Sequence, residues 1–246
     1  MELQNISAEQ VLSVVLKSPM VKIDRDKFLR KELYPYCVDD SVINDALVYN
    51  PAYAGVKKDI IDKIAKSVIS YETNKVTAMS FATGIPGGLA MFATVPADIT
   101  QYFVFMLRIM QKLAYLYGFE DFGLSEDEIS DDTLNQLLVF LGVMMGVQGA
   151  NAAVKALAEV ATNNVAKKLA QKALMKTAIY PIVKKIAPKI GIRMTKQIFA
   201  NGVSKVVPVI GGVITGGLSF ITFKPCAYRL KNSFGELPIC DPDNYK

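Results

Sequence analysis

The sequence contains no histidine and no tryptophan among its 246 residues. Without histidine the chain has no Ser-His-Asp or Cys-His catalytic arrangement, and it lacks the commonest metal ligand and the usual near-neutral pH switch. No other catalytic or metal-binding motif is recognisable, so the sequence favours a non-enzymatic protein with no metal and no cofactor. If the chain is an enzyme, its reacting group is a carboxylate such as Asp98 or an amine such as Lys112 in a shielded pocket.

Cysteine is scarce as well. Cys37, Cys226 and Cys240 are far apart and odd in number, with no Cys-x-x-Cys spacing, which disfavours a zinc or redox motif. We expect reduced thiols of a cytoplasmic protein, with a Cys226–Cys240 bridge as the alternative. The start, MELQNISAEQ, has no basic residues followed by an apolar run. We therefore expect no secretory signal, and a cytoplasmic protein associated with the inner face of the cell membrane.

Charge is absent from three long stretches, Val76 to Ala97, Thr133 to Val154 and Val206 to Phe223. The second is long enough to cross a bilayer as one helix, but a buried central helix of a soluble bundle has the same pattern. Glycine and proline in the other two indicate either helix breaks or close packing of helices. A phosphate loop is disfavoured because the Walker lysine is missing. The candidate residues for helix breaks or close packing are Gly84, Pro86, Gly87, Gly88, Gly211, Gly212, Gly216 and Gly217.

A strongly apolar helix is predicted from Pro96-Ala97-Asp98 to Gly118, because proline and an acidic residue suit a first helical turn. It is apolar nearly all round, so we expect it to be buried in protein or lipid. In one interpretation Asp98 caps the helix and Arg108 pairs with a carboxylate in the core. In the other, a narrow polar stripe faces a shared polar cavity. The stripe comprises Asp98, Gln101, Arg108, Gln111, Lys112 and Tyr115.

The region from Lys155 to Lys205 contains eleven basic residues and one acidic residue, Glu159. This composition indicates either a solvated face or attraction to anionic lipid headgroups, to which each Lys or Arg contributes about 1 kcal/mol. Nucleic acid is disfavoured because Tyr180 and Phe199 are the only aromatic residues available for stacking. The candidate membrane-surface residues are Lys167, Lys168, Lys172, Lys176, Lys184, Lys185, Lys189, Arg193 and Lys196.

Two glycine-containing segments resemble the EcsC family, which is named for a protein encoded beside an ABC-type exporter. One contains Ala82-Thr83-Gly84, Gly87-Gly88, the Pro96-x-Asp98-Ile99 turn, Leu107-Arg108, Gln111-Lys112 and the Tyr115-x-Tyr117-Gly118 end. The other is VPVIGGVITGG, from Val207 to Gly217. The resemblance covers roughly residues 56–230. It implies a helical, membrane-associated bacterial protein, makes a membrane transporter a candidate partner, and carries over no catalytic residue.

Together these patterns predict an all-α multi-helix bundle with Gly-rich apolar central helices or hairpins. We expect an N-terminal helical cap or arm over residues 1–50, an EcsC-like helical core over 51–232 and a polar tail over 233–246. An amphipathic helix is predicted from Tyr53 to Thr73, and the chain from Pro225 onward is expected to pack loosely.

The leading function is a non-enzymatic membrane-associated protein that binds an anionic membrane through the basic segment. Two additions to this function are compatible with the sequence: insertion of the Gly-rich helices into the membrane, and a role accessory to an exporter. One alternative is a soluble protein that holds a lipid or acyl chain in an apolar cavity, with Arg108 and Asp98 at its polar end. Another is an amphitropic, pore-forming protein.

Overall fold

The computed structural model describes residues 8–82, 97–124, 129–163, 183–185, 187–189 and 211–245. Side chains are described over 11–78, 100–124, 129–159, 183–185, 187–189 and 222–245. Throughout these ranges the regular elements are helical and no β-strand occurs, which confirms the predicted all-α bundle. The helices are α1 (Ala8–Val15), α2 (Arg25–Leu33), α3 (Asp40–Val48), α4 (Lys58–Ala82), α5 (Ala97–Leu116), α6 (Asp131–Met144), α7 (Ala150–Asn163) and α8 (Gly211–Gly235).

Polar side chains fix the ends of several helices. Asp24, Asp39 and Ser130 accept hydrogen bonds from the first-turn amides of α2, α3 and α6. Such caps satisfy amides that have no partner within the helix. At the opposite end of α3, the buried Arg25 guanidinium donates to the carbonyls of Ala46, Leu47 and Tyr49. Arg25 therefore joins α2 to α3 through the carbonyl groups that α3 leaves unpaired.

The core is built around α4, α5 and α8, which pack against one another. Between Thr100 and Phe119 every side chain is buried except those of Arg108 and Lys112, which are partly buried. On α8 the buried positions Phe223, Cys226, Ala227, Leu230 and Phe234 recur at helical spacing. Phe234 also lies 4.9 Å from Phe140 and 5.0 Å from Phe119 between ring centroids, so aromatic contacts join α8, α6 and the end of α5.

The residues predicted as an N-terminal cap contribute to the same hydrophobic core. Val11, Leu12 and Val15 of α1 are buried and belong to one apolar cluster with α4, α5 and α8. α1 and α2 both pack on α5. Helices α1 and α2 therefore cover part of α5, and α3 packs on α2.

The uncharged stretch from Thr133 to Val154 does not form one helix, so that expectation is wrong. α6 ends at Met144 and α7 begins at Ala150, with a turn between them. Gly146 and Gly149 in this turn have φ angles of 66° and 91°, a left-handed conformation in which glycine commonly ends helices. Among the helices that the structure describes, none combines the length and the hydropathy that a membrane span requires.

The prediction of a loosely packed chain after Pro225 is also wrong. α8 continues through Pro225, which is exposed, to Gly235. Leu237, Ile239 and Cys240 beyond it are buried. Ile239 packs against Gly118, which follows α5 with a φ of 97°, because a glycine there leaves room for the Ile239 side chain.

Gly118 and Gly149 form a matched pair for measuring this contact. A Cβ on Gly118 would lie 3.1 Å from Ile239 Cγ1, whereas a Cβ on Gly149 would meet nothing within 4 Å. Both residues have positive φ, so Gly149→Ala is expected to lower the free energy of unfolding by about 1–2 kcal/mol through backbone strain alone. Gly118→Ala should cost about 1–3 kcal/mol more because of crowding. Urea denaturation of both variants measures the difference, and equal losses would contradict the packing role of Gly118.

Candidate functional site

The predicted polar stripe lies on α5 and its described members are inside the protein. Gln101, Gln111 and Tyr115 are buried. The side chains of Arg108 and Lys112 are 17% and 12% exposed. Asp98 lies in the first turn of α5, but its side chain is outside the described residues.

The carboxylate that faces the stripe is Glu72 of α4, whose side chain is 0% exposed. Lys112 Nζ lies 2.6 Å from Glu72 Oε1, and Arg108 Nε lies 3.8 Å from Glu72 Oε2. Two cations of one helix thus flank one buried anion of its neighbour. We call these three residues the Glu72 cluster.

Sequence reasoning missed Glu72, although a signal was present. Val68, Glu72 and Val76 recur every four residues, and α4 runs to Ala82 rather than to Thr73. All three side chains are buried. An acidic residue at a position that continues an apolar helical face needs a cation from another element, because an unpaired buried charge is costly.

The Glu72 cluster is not fully hydrogen-bonded within the described residues. Glu72 Oε2 and Arg108 Nε are both buried without a hydrogen-bond partner there, since 3.8 Å is too long for one. Lys112 Nζ also lies 5.5 Å from the Phe28 ring centroid and 5.7 Å from that of Tyr71. Direct pairing and cation–π contacts together hold the Lys112 ammonium between α2, α4 and α5.

The stripe also fixes the segment Ser18–Ile23, which connects α1 to α2 and is called the strap below. Gln111 Nε2 donates to the Val21 carbonyl at 2.7 Å, and Gln111 Oε1 accepts from the Ile23 amide at 3.2 Å. Arg108 donates to the Met20 carbonyl. Backbone groups of the strap therefore find partners on side chains of α5, 88 to 90 positions away in sequence.

Tyr115 lies at the far end of the stripe and contacts a different segment. Its hydroxyl donates to Asp121 Oδ2 at 3.3 Å. Burial, followed by the nearby Asp121 charge, raises the pKa of Tyr115, so its hydroxyl stays protonated. Tyr115 thus acts as a hydrogen-bond donor to the loop after α5.

A second polar cluster joins α4, the residue Tyr117 that follows α5, and α8. The buried Tyr117 hydroxyl donates to Asp62 Oδ1 at 2.5 Å, and Lys231 Nζ lies 3.1 Å from the same oxygen. Partial burial raises the pKa of the Asp62 carboxyl, but hydrogen bonds from Tyr117 and Lys231 outweigh this and keep the pKa below its ordinary 3.8. Asp62 is therefore ionised at neutral pH.

The cysteines of the described residues are not activated nucleophiles, and these residues form no metal-binding group. Cys37, Cys226 and Cys240 are free thiols, and burial raises the pKa of each. No three Cys, Asp or Glu side chains of the described part of the chain come together as a metal site would require. Arg108 and Lys112, the charged groups of the stripe that the structure describes, contact Glu72, and Arg108 also contacts the backbone of the strap. These contacts hold α4, α5 and the strap together.

The predicted basic residues are described only in part. Lys184, Lys185 and Lys189 are exposed, while Val183 and Ala187 beside them are buried. Gly211, Gly212, Gly216 and Gly217 lie in the backbone of α8. The remaining predicted residues fall outside the described residues: Gly84, Pro86, Gly87, Gly88, Lys167, Lys168, Lys172, Lys176, Arg193 and Lys196.

Comparisons of the chain with protein-family models, with curated proteins and with solved structures gave no match. The resemblance to the EcsC family therefore rests on the motifs quoted above.

The Glu72 cluster predicts a non-additive mutant pair. Lys112→Met leaves the buried Glu72 carboxylate with Arg108 alone and should lower the free energy of unfolding by about 3–5 kcal/mol. Glu72→Met combined with Lys112→Met removes both charges and should be more stable than Lys112→Met alone. Urea denaturation measures both, with Lys66→Met on the exposed face of α4 as the control. A double variant less stable than Lys112→Met would contradict the buried ion pair.

The Asp62 carboxylate predicts a pH-dependent stability. Because its pKa is lowered in the folded state, its stabilisation is fully present above the unfolded pKa near 3.8 and is lost as pH falls through the folded pKa. Asp62→Asn should therefore be less stable than the wild type at pH 7, by about 1–3 kcal/mol, and the difference should narrow below about pH 4. Urea denaturation as a function of pH tests this. Asp45→Asn, which changes an exposed carboxylate outside the first turn of α3, serves as the control. A difference between Asp62→Asn and the wild type that stays constant down to pH 2 would refute the assignment.

Proposed function

We propose that this protein is a non-enzymatic peripheral membrane protein that binds anionic lipid headgroups through its basic segment. The observation that carries the proposal is the orientation of Lys184, Lys185 and Lys189. All three are exposed, whereas the apolar neighbours Val183 and Ala187 are buried. The lysines therefore face outward, and Val183 beside them packs in the hydrophobic core.

Charge supports the same function. The chain has a net charge of +5, and the segment from Lys155 to Lys205 supplies eleven cations against one acid. Among the described residues, Lys184, Lys185 and Lys189 make no ion pair. Exposed lysines without a protein carboxylate are available to anionic headgroups, and several together give useful affinity because each adds about 1 kcal/mol.

The resemblance to the EcsC family supports a membrane location as well, since that family is membrane-associated. A role accessory to a transporter is part of the same proposal, with the protein held at the inner face of the membrane. Peripheral binding places the cations at the headgroups and leaves the apolar helices α4, α5 and α8 in their own core. Binding of this kind depends on salt, because exposed charges are screened within about 10 Å at 0.1 M ionic strength.

Vesicle sedimentation tests the proposal. The wild type should bind phosphatidylglycerol vesicles, should not bind phosphatidylcholine vesicles, and should dissociate at 0.5–1 M salt, roughly the range in which surface charges are screened. Lys184→Ala combined with Lys185→Ala should weaken binding about 30-fold, from the loss of two surface cations. Lys57→Ala combined with Lys66→Ala removes two exposed lysines of equal charge elsewhere and should bind like the wild type.

Two outcomes would overturn this function. The first is no binding to anionic vesicles, and the second is equal weakening by both lysine pairs, which would indicate attraction by net charge alone. Release of an encapsulated dye, measured in the same vesicles, separates surface binding from pore formation. Leakage that accompanies binding would favour the pore-forming alternative.

A further inference from the structure

A groove of about 640 Å³ lies on the side of the protein where α1, the strap and α6 meet. Its volume falls within the range of roughly 300–1,000 Å³ that small-molecule sites occupy. Five leucines, Ile129 and Pro19 form the apolar part of the lining, and Ser13 and two lysines form the polar part. Four of these leucines lie on α1 and α6 or directly after α1, and the lysines are Lys17 and Lys22.

The groove exists because α1 and α6 pack on the same helix. Both contact α5, and the groove separates them. Leu12 and Leu16 are spaced four residues apart, as are Leu134 and Leu138, so each pair lines one wall along a helical face. Leu12, Leu16 and Leu138 are less than a tenth exposed, while Leu134 is partly exposed. The two leucine pairs therefore give the groove two apolar walls.

The cations of the groove come from the end of α1 and from the strap. Lys17 follows α1 and Lys22 belongs to the strap, and both side chains are exposed. Neither forms an ion pair with any carboxylate in the part of the chain that the structure describes. Positive charge at an apolar groove complements an anionic head on an apolar tail.

The polar stripe of α5 positions this charged end. Gln111 binds Val21 and Ile23 on either side of Lys22, and Arg108 binds the Met20 carbonyl. The strap that carries Lys22 is therefore tied to α5 on both sides of that lysine. Arg108 and Gln111 are positioning residues for the groove, since they act on it through hydrogen bonds to the strap backbone.

We propose that this groove binds a long-chain fatty acid, with the acyl chain along the leucines and the carboxylate at Lys17 and Lys22. Each part of the ligand has a counterpart in the groove. The apolar walls match the chain, and the two cations match a single anionic head. The site uses none of the lysines proposed to bind the membrane, so the two proposals can fail independently.

Titration calorimetry with palmitate, below its aggregation concentration, tests the groove in the intact protein. The wild type should bind one palmitate per chain. Lys17→Glu combined with Lys22→Glu should weaken palmitate binding at least about tenfold, because charge-assisted contacts to the head are lost. Leu134→Trp places a larger side chain at a partly exposed position of the wall and should abolish binding. Hexadecanol, which has the same chain length and no charge, should bind both the wild type and the double lysine variant with similar affinity.

Lys57→Glu combined with Lys66→Glu changes net charge equally and is the matched control, expected to bind palmitate like the wild type. Circular dichroism of each variant confirms that it is folded. The proposal is overturned if palmitate does not bind, or if Leu134→Trp and the Lys17/Lys22 variant both bind as the wild type does. It is also overturned if the Lys17/Lys22 change weakens only vesicle sedimentation, because the lysines would then serve a membrane surface.

Discussion

The buried carboxylate of Glu72 is the constraint on which the arrangement of α4, α5 and the strap depends. Removing a carboxylate from water costs several kcal/mol unless cations and hydrogen bonds compensate it. Lys112 and Arg108 supply that compensation from α5, at 2.6 Å and 3.8 Å. Because both cations pair with Glu72, α5 has one rotation about its axis relative to α4. That rotation also determines which face of α5 carries Gln111 and therefore where Gln111 contacts the strap.

Helix α4 provides anions at two places along its length, and each meets cations or donors from other helices. Glu72 pairs with α5, whereas Asp62 accepts from Tyr117 and Lys231 at the seam with α5 and α8. Apolar contacts alone allow helices to slide and rotate at modest cost, but charged contacts at two separated points do not. The two clusters therefore specify the register of an otherwise apolar three-helix core.

The sequence predicted local features well and long-range pairing poorly. Proline and Asp98 at one end and Gly118 at the other give the extent of α5, because caps and breakers act within a few residues. The all-round burial of α5 follows from its composition. Glu72 was missed because its partners lie on another helix, and the break at Gly146 and Gly149 was missed because glycine fits a helix contact or a turn equally well. The groove depends on the strap, whose position is set by tertiary hydrogen bonds from Gln111.

The strap has a consequence for the dynamics of the protein. Its Ile23 amide is hydrogen-bonded to Gln111 Oε1 although it belongs to no helix. We therefore expect the protection of the Ile23 amide against hydrogen exchange to depend on the Gln111 side chain of α5 and not on a neighbouring turn. The strap can open only when the Gln111 and Arg108 contacts break, which makes it a unit of local unfolding whose stability is set from within the core.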